Sequence, residues 1–448
     1  MPVCEGPDAG TRRGTAVEGA AFVVVAAAVV VWGAVSARLE RADLTAPIVF
    51  TAIGTTLVGF GLVHGSVTPE TWKSLVEVTL VWVLFSDAAR VRVHDLRGDV
   101  RVVLRLLAVG LPLTVLAGWG LAAWLFPGLG LWLALLVGAA LAPTDAALGV
   151  PVVTDPAVPS RVRRVITVES GLNDGIVTPV VVVAIAGAVA VEDQSGSGVV
   201  GALLELAIGV AVGAAVGLAG GWLLAWCGRR GWVAEDFAGV AVLALALLAY
   251  SAPLAVGGNG FIGAFCGGMA FGAAGGRREQ AELAFLEQAS GALSLLVWLT
   301  FGAVGVPIMV DRLGFRLVLY AVLSLTVVRM VPVALSLLGS GVDRGTVLFV
   351  GWFGPRGLAS LVFALIAFDE IGAGADEAIA LVAATVFLSV LAHGLSASPL
   401  AARYGARVAA GAPGPEQEPD LPVRGLPRPR PGVQATGPAP ARGRRSPR

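Results

Sequence analysis

The sequence has little charge, and its basic residues include almost no lysine. Only 14% of the 448 residues are charged, whereas soluble domains usually carry about 25%. Lysine occurs once, as Lys73, and arginine supplies the other basic residues. The formal net charge is zero, so no nucleic-acid partner is expected. A charge content this low excludes an ordinary soluble domain.

Cysteine and histidine are scarce as well. The three cysteines, Cys4, Cys227 and Cys266, are odd in number and lack metal-type spacing, which argues against a disulfide framework. Three histidines are present: His64, His94 and His393. None is expected near the carboxylates described below, and the softer metals favour His and Cys ligands. No resident metal and no other cofactor is therefore expected.

Long apolar blocks are abundant instead. The mean hydropathy is +0.83, and blocks such as 102–126 and 199–226 carry at most one or two charges. About 20 such residues cross a ~30 Å hydrocarbon core as a helix. The sequence thus predicts an all-α integral membrane protein with about 13 transmembrane helices. The predicted spans, 1 to 13, are 18–36, 46–63, 72–88, 101–126, 131–150, 164–191, 199–227, 235–252, 257–274, 286–309, 314–339, 344–367 and 376–398.

The two ends of the chain are predicted to lie outside this membrane domain of residues 18–398. Residues 1–17 form a short N-terminal segment in this interpretation. Residues 399–448 form a disordered tail, because the sequence beyond about Ala409 is rich in Pro, Gly and Arg and poor in large apolar residues.

The distribution of arginine predicts the orientation in the membrane. Arginines lie mainly in loops after odd-numbered spans: Arg38, Arg41, Arg90, Arg92, Arg97, Arg161, Arg163, Arg229, Arg230, Arg277 and Arg278. Loops after even-numbered spans are mostly acidic: Glu192, Asp193, Asp369, Glu370, Asp376 and Glu377. Because basic loops face the cytoplasm, we expect an outside N-terminus and a cytoplasmic tail. The expected location is the plasma (inner) membrane, crossed many times.

Two predicted spans are interrupted by proline. Span 5 breaks at residues 142–145, Ala-Pro-Thr-Asp, and span 12 at residues 354–357, Gly-Pro-Arg-Gly. They are the fifth members of the sets 1–6 and 8–13, and an odd number of spans separates them. The two halves would therefore be inverted repeats, and broken helices at matching places indicate the binding site of a transporter.

Few ionisable residues are predicted to lie deep in the membrane, and each is a functional candidate by default. In span 6, Glu169 lies four residues before Asn173, and Ser170 lies four residues before Asp174. Each pair is therefore adjacent on one helix face. Asp145 and Thr144 add a carboxylate and a hydroxyl from broken span 5. These hard oxygen ligands suit a monovalent metal cation.

The same carboxylates could carry protons, because burial disfavours the charged form of a carboxyl group. A cation and a proton would then compete for one oxygen cage, which is the minimum needed for exchange. The alternative is that Asp145 or Asp174 is a hydrogen-bonded structural carboxylate.

Other buried charges favour a structural interpretation. Glu169 and Arg329, the latter in span 11, are expected to form a buried ion pair that holds helices together. Arg356, with Pro143, is expected to support the broken helices, either by neutralising helix-end dipoles or by stabilising the crossing helices. Asp87, at the end of span 3, is expected to lie at the cytoplasmic funnel rather than at the ion site.

The sequence motifs around these residues resemble those of the sodium/proton antiporter family of the monovalent cation:proton antiporter superfamily. The resemblance is carried by residues 143–145 (Pro-Thr-Asp), residues 169–175 (Glu-Ser-Gly-Leu-Asn-Asp-Gly), Arg329 and residues 354–357. It implies two inverted repeats, in which a core of spans 4–6 and 11–13 moves against a fixed dimerisation domain. Ala146 departs from the family pattern, since many relatives have proline there.

The resemblance also implies roles for single residues. Asp174 would bind the ion and the proton, with Thr144, Asp145 and Ser170 as co-ligands. Asn173 stands where electrogenic relatives have a second Asp, which implies exchange of one cation per proton.

The expected function is therefore electroneutral Na⁺/H⁺ antiport by a homodimer in the lipid bilayer, not an enzymatic reaction. A K⁺- or Li⁺-preferring antiporter of the same fold remains an alternative, as does a membrane sensor or channel. An intramembrane aspartyl protease is disfavoured, because no Gly-x-Gly-Asp string surrounds Asp174.

Overall fold

The computed structural model describes residues 9–40, 42–60, 69–90, 99–145, 148–192, 198–274 and 279–410. Within these ranges every regular element is helical. The α-helices are α1 Ala9–Glu40, α2 Ala46–Gly59, α3 Pro69–Arg90, α4 Val100–Arg105, α5 Leu111–Leu125, α6 Gly130–Ala140, α7 Val150–Val153, α8 Ser160–Glu192, α9 Gly198–Arg229, α10 Glu235–Ala255, α11 Gly260–Ala274, α12 Glu279–Thr300, α13 Val306–Asp311, α14 Phe315–Leu325, α15 Val327–Ser336, α16 Arg344–Trp352, α17 Leu358–Ile371 and α18 Asp376–Ala410.

The described part of the chain contains eight helical stretches long and apolar enough to cross a membrane. Shorter apolar helices cover Ala46–Gly59, Pro127–Ala140 and Gly260–Ala274. These elements confirm the all-α membrane fold. The count of 13 spans stays a prediction.

The helices pack into two groups. The first helix group consists of α2, α3 and α9–α12, and the second of α5, α6, α8 and α14–α18. In the first group α9 and α11 meet at glycines: a Cβ on Gly213 or Gly217 would collide with the backbone of Gly263 or Gly267. Small residues of this kind let membrane helices approach closely. The division into a fixed and a moving domain stays a prediction.

Both broken helices occur at the predicted strings. Helix α6 ends at Ala140 and α7 begins at Val150, while α16 ends at Trp352 and α17 begins at Leu358. Ala146 lies outside the described residues. Two π-helical turns, Leu106–Gly110 and Phe301–Gly305, had no counterpart among the sequence predictions.

The end of the last helix corrects a prediction. Helix α18 continues to Ala410, so residues 399–410 are not a disordered tail. Ala401 and Tyr404 are buried. The Tyr404 ring stacks on Phe349 with centroids 4.1 Å apart, and its hydroxyl lies 2.8 Å from the Thr346 hydroxyl. This packing keeps the segment helical. Residues 411–448 lie outside the described residues.

The first helix also differs from its predicted bounds, since α1 begins at Ala9 rather than at residue 18. Residues 1–8 lie outside the description. So do several residues used to predict the orientation: Arg41, Arg92, Arg97, Asp193, Arg277 and Arg278.

Candidate ion-binding site

The two helix breaks lie against each other. The backbone N–H of Asp145 donates to the Pro355 carbonyl over 2.8 Å. In return, Oδ2 of Asp145 accepts a hydrogen bond of 3.0 Å from the backbone N–H of Leu358. Asp145 thus satisfies a free donor at the N-terminus of α17, where a negative charge is favourable. A Cβ on Gly357 would collide with the Asp145 carboxylate, so this approach requires glycine.

Arg356 provides a second contact between the two helix breaks and is fully buried. Its Nη1 donates to the carbonyls of Ala142 and Pro143, over 2.9 and 3.0 Å. These carbonyls follow the C-terminal end of α6, where a cation offsets the negative end of the helix dipole. Nε and Nη2 have no hydrogen-bond partner among the described residues. The structure therefore places Pro143 and Arg356 together at the break.

A cluster of hydroxyl and amide groups lies at the break of span 5. Thr144, Ser170 and Asn173 are all buried. The hydroxyls of Thr144 and Ser170 are 2.9 Å apart, and Nδ2 of Asn173 donates to Oγ1 of Thr144 over 2.7 Å. Oδ1 of Asn173 has no partner among the described residues. The cluster thus joins broken span 5 to α8 and retains an unused buried oxygen.

Asp174 follows Asn173 in α8 and is buried, with 7% of its surface exposed. Its backbone carbonyl accepts a hydrogen bond from Thr178 Oγ1. Asp145 and Asp87 lie close enough to act electrostatically on its carboxyl group. Carboxylates from α3, from the break after α6 and from α8 therefore converge on one region.

The sequence predicts that Asp87 lies at the cytoplasmic funnel rather than at the ion site. The structure shows which helix this residue contacts. A Cβ on Gly171 of α8 would lie 3.5 Å from the Asp87 Cβ. Asp87 of α3 therefore packs against the helix that carries Asp174, and it is the carboxylate that the first helix group brings to the site.

Glu169 and Arg329 form a bidentate ion pair between α8 and α15. Nη1 and Nη2 of Arg329 lie 2.7 and 2.8 Å from the two carboxylate oxygens of Glu169. The side chains are 1% and 2% exposed. The carboxylate of Glu169 is therefore committed to Arg329.

No signal in the sequence indicated the contacts that Ser389 and His393, both on α18, make with the break in span 12. Oγ of Ser389 accepts a hydrogen bond of 2.7 Å from the backbone N–H of Arg356. His393 is buried, with Nδ1 3.1 Å from Oγ of Ser389 and Nε2 2.9 Å from the Trp352 carbonyl. A histidine thus lies at the break in span 12, which the sequence did not indicate. His64 and His94 lie outside the described residues.

Most of the chain, including both helix breaks, is similar to a known protein family. Residues 23–403 match the family described as "Sodium/hydrogen exchanger, transmembrane". The chain belongs to this family. Membership confirms the resemblance given by the Pro-Thr-Asp and Asn-Asp strings, and it identifies the chain as an integral membrane protein of a transporter family.

Two curated relatives of this chain come from Shewanella. The K(+)/H(+) antiporter NhaP2 of Shewanella sp. (strain MR-4) is 27% identical over 333 residues, which cover 71% of this chain and 55% of the relative. NhaP2 of Shewanella oneidensis is 28% identical over 332 residues, with the same coverage. The chain thus spans about half the length of the curated relatives it matches.

A solved structure supports the fold. The sodium proton antiporter MjNhaP1 from Methanocaldococcus jannaschii at pH 8 aligns with a TM-score of 0.68. The alignment covers 87% of this chain and 99% of the solved chain at 18% identity. It confirms the predicted fold class.

Proposed function

We propose that this chain is a secondary antiporter that exchanges a monovalent cation for protons by alternating access. One observation carries the proposal: Asp174 is buried on α8 one turn after Ser170 and next to Asn173, and these two residues contact Thr144 at the break of span 5. In this mechanism the cation and the proton compete for Asp174, and Asp145 assists. The chain moves its cargo without making or breaking covalent bonds.

The types of ligand explain the competition. Carboxylate, hydroxyl and amide oxygens are hard donors that suit an alkali cation. A carboxylate that has lost its contact with water binds either a cation or a proton, because its isolated charge is costly in the membrane. The unpartnered Oδ1 of Asn173 provides an additional ligand in the same cluster.

The contacts also suggest different roles for Asp145 and Asp174. Asp145 already accepts a hydrogen bond from the backbone N–H of Leu358 at the start of α17, so one of its oxygens is committed to the helix break. Asp174 is then the carboxylate that alternates between cation and proton. With Asn173 beside it instead of a second carboxylate, we infer electroneutral exchange of one cation per proton.

Sodium is our first candidate for the cation, and potassium is the second. The family description and the name of MjNhaP1 favour sodium, whereas the names of the NhaP2 relatives favour potassium. Li⁺ would fit the same set of ligands. A sensor or channel is the remaining alternative, although a single central site between broken helices suits alternating access better.

The test uses proteoliposomes with an imposed pH gradient and a trapped pH dye. Sodium, potassium or lithium is added to the wild type, Asp174→Asn and Glu205→Gln, with and without a potassium/valinomycin voltage clamp. Glu205 is a matched control, because it is an exposed carboxylate of membrane helix α9 outside the site.

We expect a cation to collapse the gradient in the wild type and in Glu205→Gln, but not in Asp174→Asn, with no effect of the clamp. The cation that acts at the lowest concentration is the preferred one. If no cation moves protons in folded wild-type protein, or if Asp174→Asn retains exchange, the proposal is wrong. A clamp-dependent rate would overturn the electroneutral part alone.

The proposed protein is a homodimer in the plasma (inner) membrane, with its N-terminus outside and its C-terminus in the cytoplasm. The apolar residues Val23, Val30 and Val31 of α1 are exposed in the single chain, so a second copy or lipid must cover them in a membrane. Chemical cross-linking in membranes tests the dimer, and labelling of single cysteines from each side tests the orientation.

A further inference from the structure

A group of tryptophans surrounds one arginine at the end of α9. The rings of Trp222 and Trp226 stack with centroids 6.1 Å apart, and Trp232 meets Trp226 edge-on at 5.1 Å. The guanidinium carbon of Arg230 lies 4.0 Å from the Trp226 ring centroid and 5.1 Å from that of Trp232. We call Trp222, Trp226, Arg230 and Trp232 the tryptophan–arginine cluster.

The local backbone builds this cluster. Helix α9 ends at Arg229, and Gly231 adopts a φ of +72°, a conformation that favours glycine at a helix C-terminus. The N–H of Trp232 then returns to the Cys227 carbonyl over 3.1 Å. The turn thus brings Trp232 back onto Arg230.

The cluster is open to a partner. Trp222 and Trp232 are 58% and 64% exposed, and Arg230 is exposed as well. Within the described part of the chain, Arg230 forms no ion pair. Contact with an aromatic face orients a guanidinium and leaves the N–H groups in the guanidinium plane available. This geometry suits a phosphate.

The position of the cluster in the chain indicates the source of that phosphate. The cluster stands at the end of the apolar helix Val199–Arg229, the depth at which tryptophan meets lipid headgroups. In the orientation proposed above, this end faces the cytoplasm, where anionic lipids attract basic residues. We propose that the tryptophan–arginine cluster binds the headgroup phosphate of an anionic phospholipid in the cytoplasmic leaflet.

The consequence concerns the first helix group. Helix α9 packs along α11 through Gly213 and Gly217, so a lipid held at its end would fix the depth of this group in the membrane. The proposal rests on the proposed orientation, but not on the exchange chemistry.

The test titrates brominated phosphatidylglycerol into the full-length protein in a neutral detergent and follows the quenching of tryptophan fluorescence. Brominated phosphatidylcholine is the uncharged comparison, and inorganic phosphate is a competitor. The variants are Arg230→Gln, Trp232→Phe and Arg403→Gln. Arg403 is the matched control, because it is exposed near the end of α18 and lies over no aromatic ring of the described residues.

We expect phosphatidylglycerol to bind more tightly than phosphatidylcholine, with an apparent affinity that falls about fivefold in Arg230→Gln and not in Arg403→Gln. Trp232→Phe should reduce the quenched fraction. Equal affinities in Arg230→Gln and the wild type would overturn the proposal, and so would equal loss in both arginine variants. Competition by free phosphate at millimolar concentration would indicate an ion site instead of a lipid site. Arg230→Lys, which keeps the charge without the planar group, replaces Arg230→Gln if that variant does not fold.

Discussion

Two buried arginines illustrate how single residues stabilise this fold. Arg329 pairs with Glu169 through two hydrogen bonds, whereas Arg356 binds the two carbonyls that follow α6. Removing one partner of a buried pair leaves an uncompensated charge. We expect Glu169→Gln to lower the free energy of unfolding by about 3–5 kcal/mol, measured as a fall in melting temperature in detergent.

The control for this prediction is an exposed pair. Arg312 lies 3.0 Å from Asp376, and the two side chains are 45% and 32% exposed, so Arg312→Gln should cost about 1 kcal/mol or less. The double variant Glu169→Leu, Arg329→Met should regain much of the lost stability. Similar melting temperatures for Glu169→Gln and Arg312→Gln would contradict the prediction.

A second residue-scale prediction concerns Asn173. Asn173→Leu keeps the side-chain size but removes both the hydrogen bond to Thr144 and the unpartnered Oδ1. Because such a buried polar contact is worth about 1–3 kcal/mol, the cation concentration for half-maximal exchange should rise by about tenfold. Thr167→Val is the control, since within the described residues the Thr167 hydroxyl bonds only to the Arg163 carbonyl of its own helix. An unchanged concentration dependence in Asn173→Leu would exclude the amide as a ligand.

At the scale of helical elements, the break in span 12 is held from two sides. Asp145 contacts Pro355 and Leu358 on one side, and Ser389 accepts from the Arg356 N–H on the other. Ser389→Ala would leave that buried N–H without an acceptor, at a cost of about 1–3 kcal/mol. We expect a lower melting temperature together with slower exchange.

Thr385 supplies the matched control one turn earlier on α18. It is buried to the same extent as Ser389, but its hydroxyl bonds, in the part of the chain that the structure describes, only to the Leu381 carbonyl within the helix. Thr385→Val should therefore leave exchange near the wild-type rate. If both variants behave alike, the hydrogen bond from Arg356 does not hold the broken segment.

The contrast between these elements shows what a sequence can predict. The breaks were predictable because Pro143 and Pro355 act locally, by removing a backbone donor. Ser389 was not, because it lies 33 positions from Arg356 and nothing in its own neighbourhood marks the contact. The end of α18 was placed too early for the same reason, since Tyr404 is buried against Thr346, which is 58 positions away.

At the scale of the whole molecule, the site spans the boundary between the two helix groups. Asp87 of α3 belongs to the first group and contacts α8 of the second beside Gly171. If the second group carries the ion across the membrane, this contact must change in each cycle. A covalent bond between the two helices at this point should therefore stop exchange without altering the ion ligands in α8.

The geometry permits such a bond. The Cβ of Asp87 lies 3.5 Å from the position of a Cβ on Gly171, within the usual range of about 3.5–4.5 Å for a disulfide. We expect Asp87→Cys, Gly171→Cys, with Cys4, Cys227 and Cys266 replaced by serine, to exchange cations when reduced and to lose exchange when oxidised. The single variant Asp87→Cys sets the reference rate and should not respond to oxidant. Full exchange by the oxidised, cross-linked protein would mean that the helix groups do not move apart at this contact, and that access to Asp174 alternates by smaller local motions.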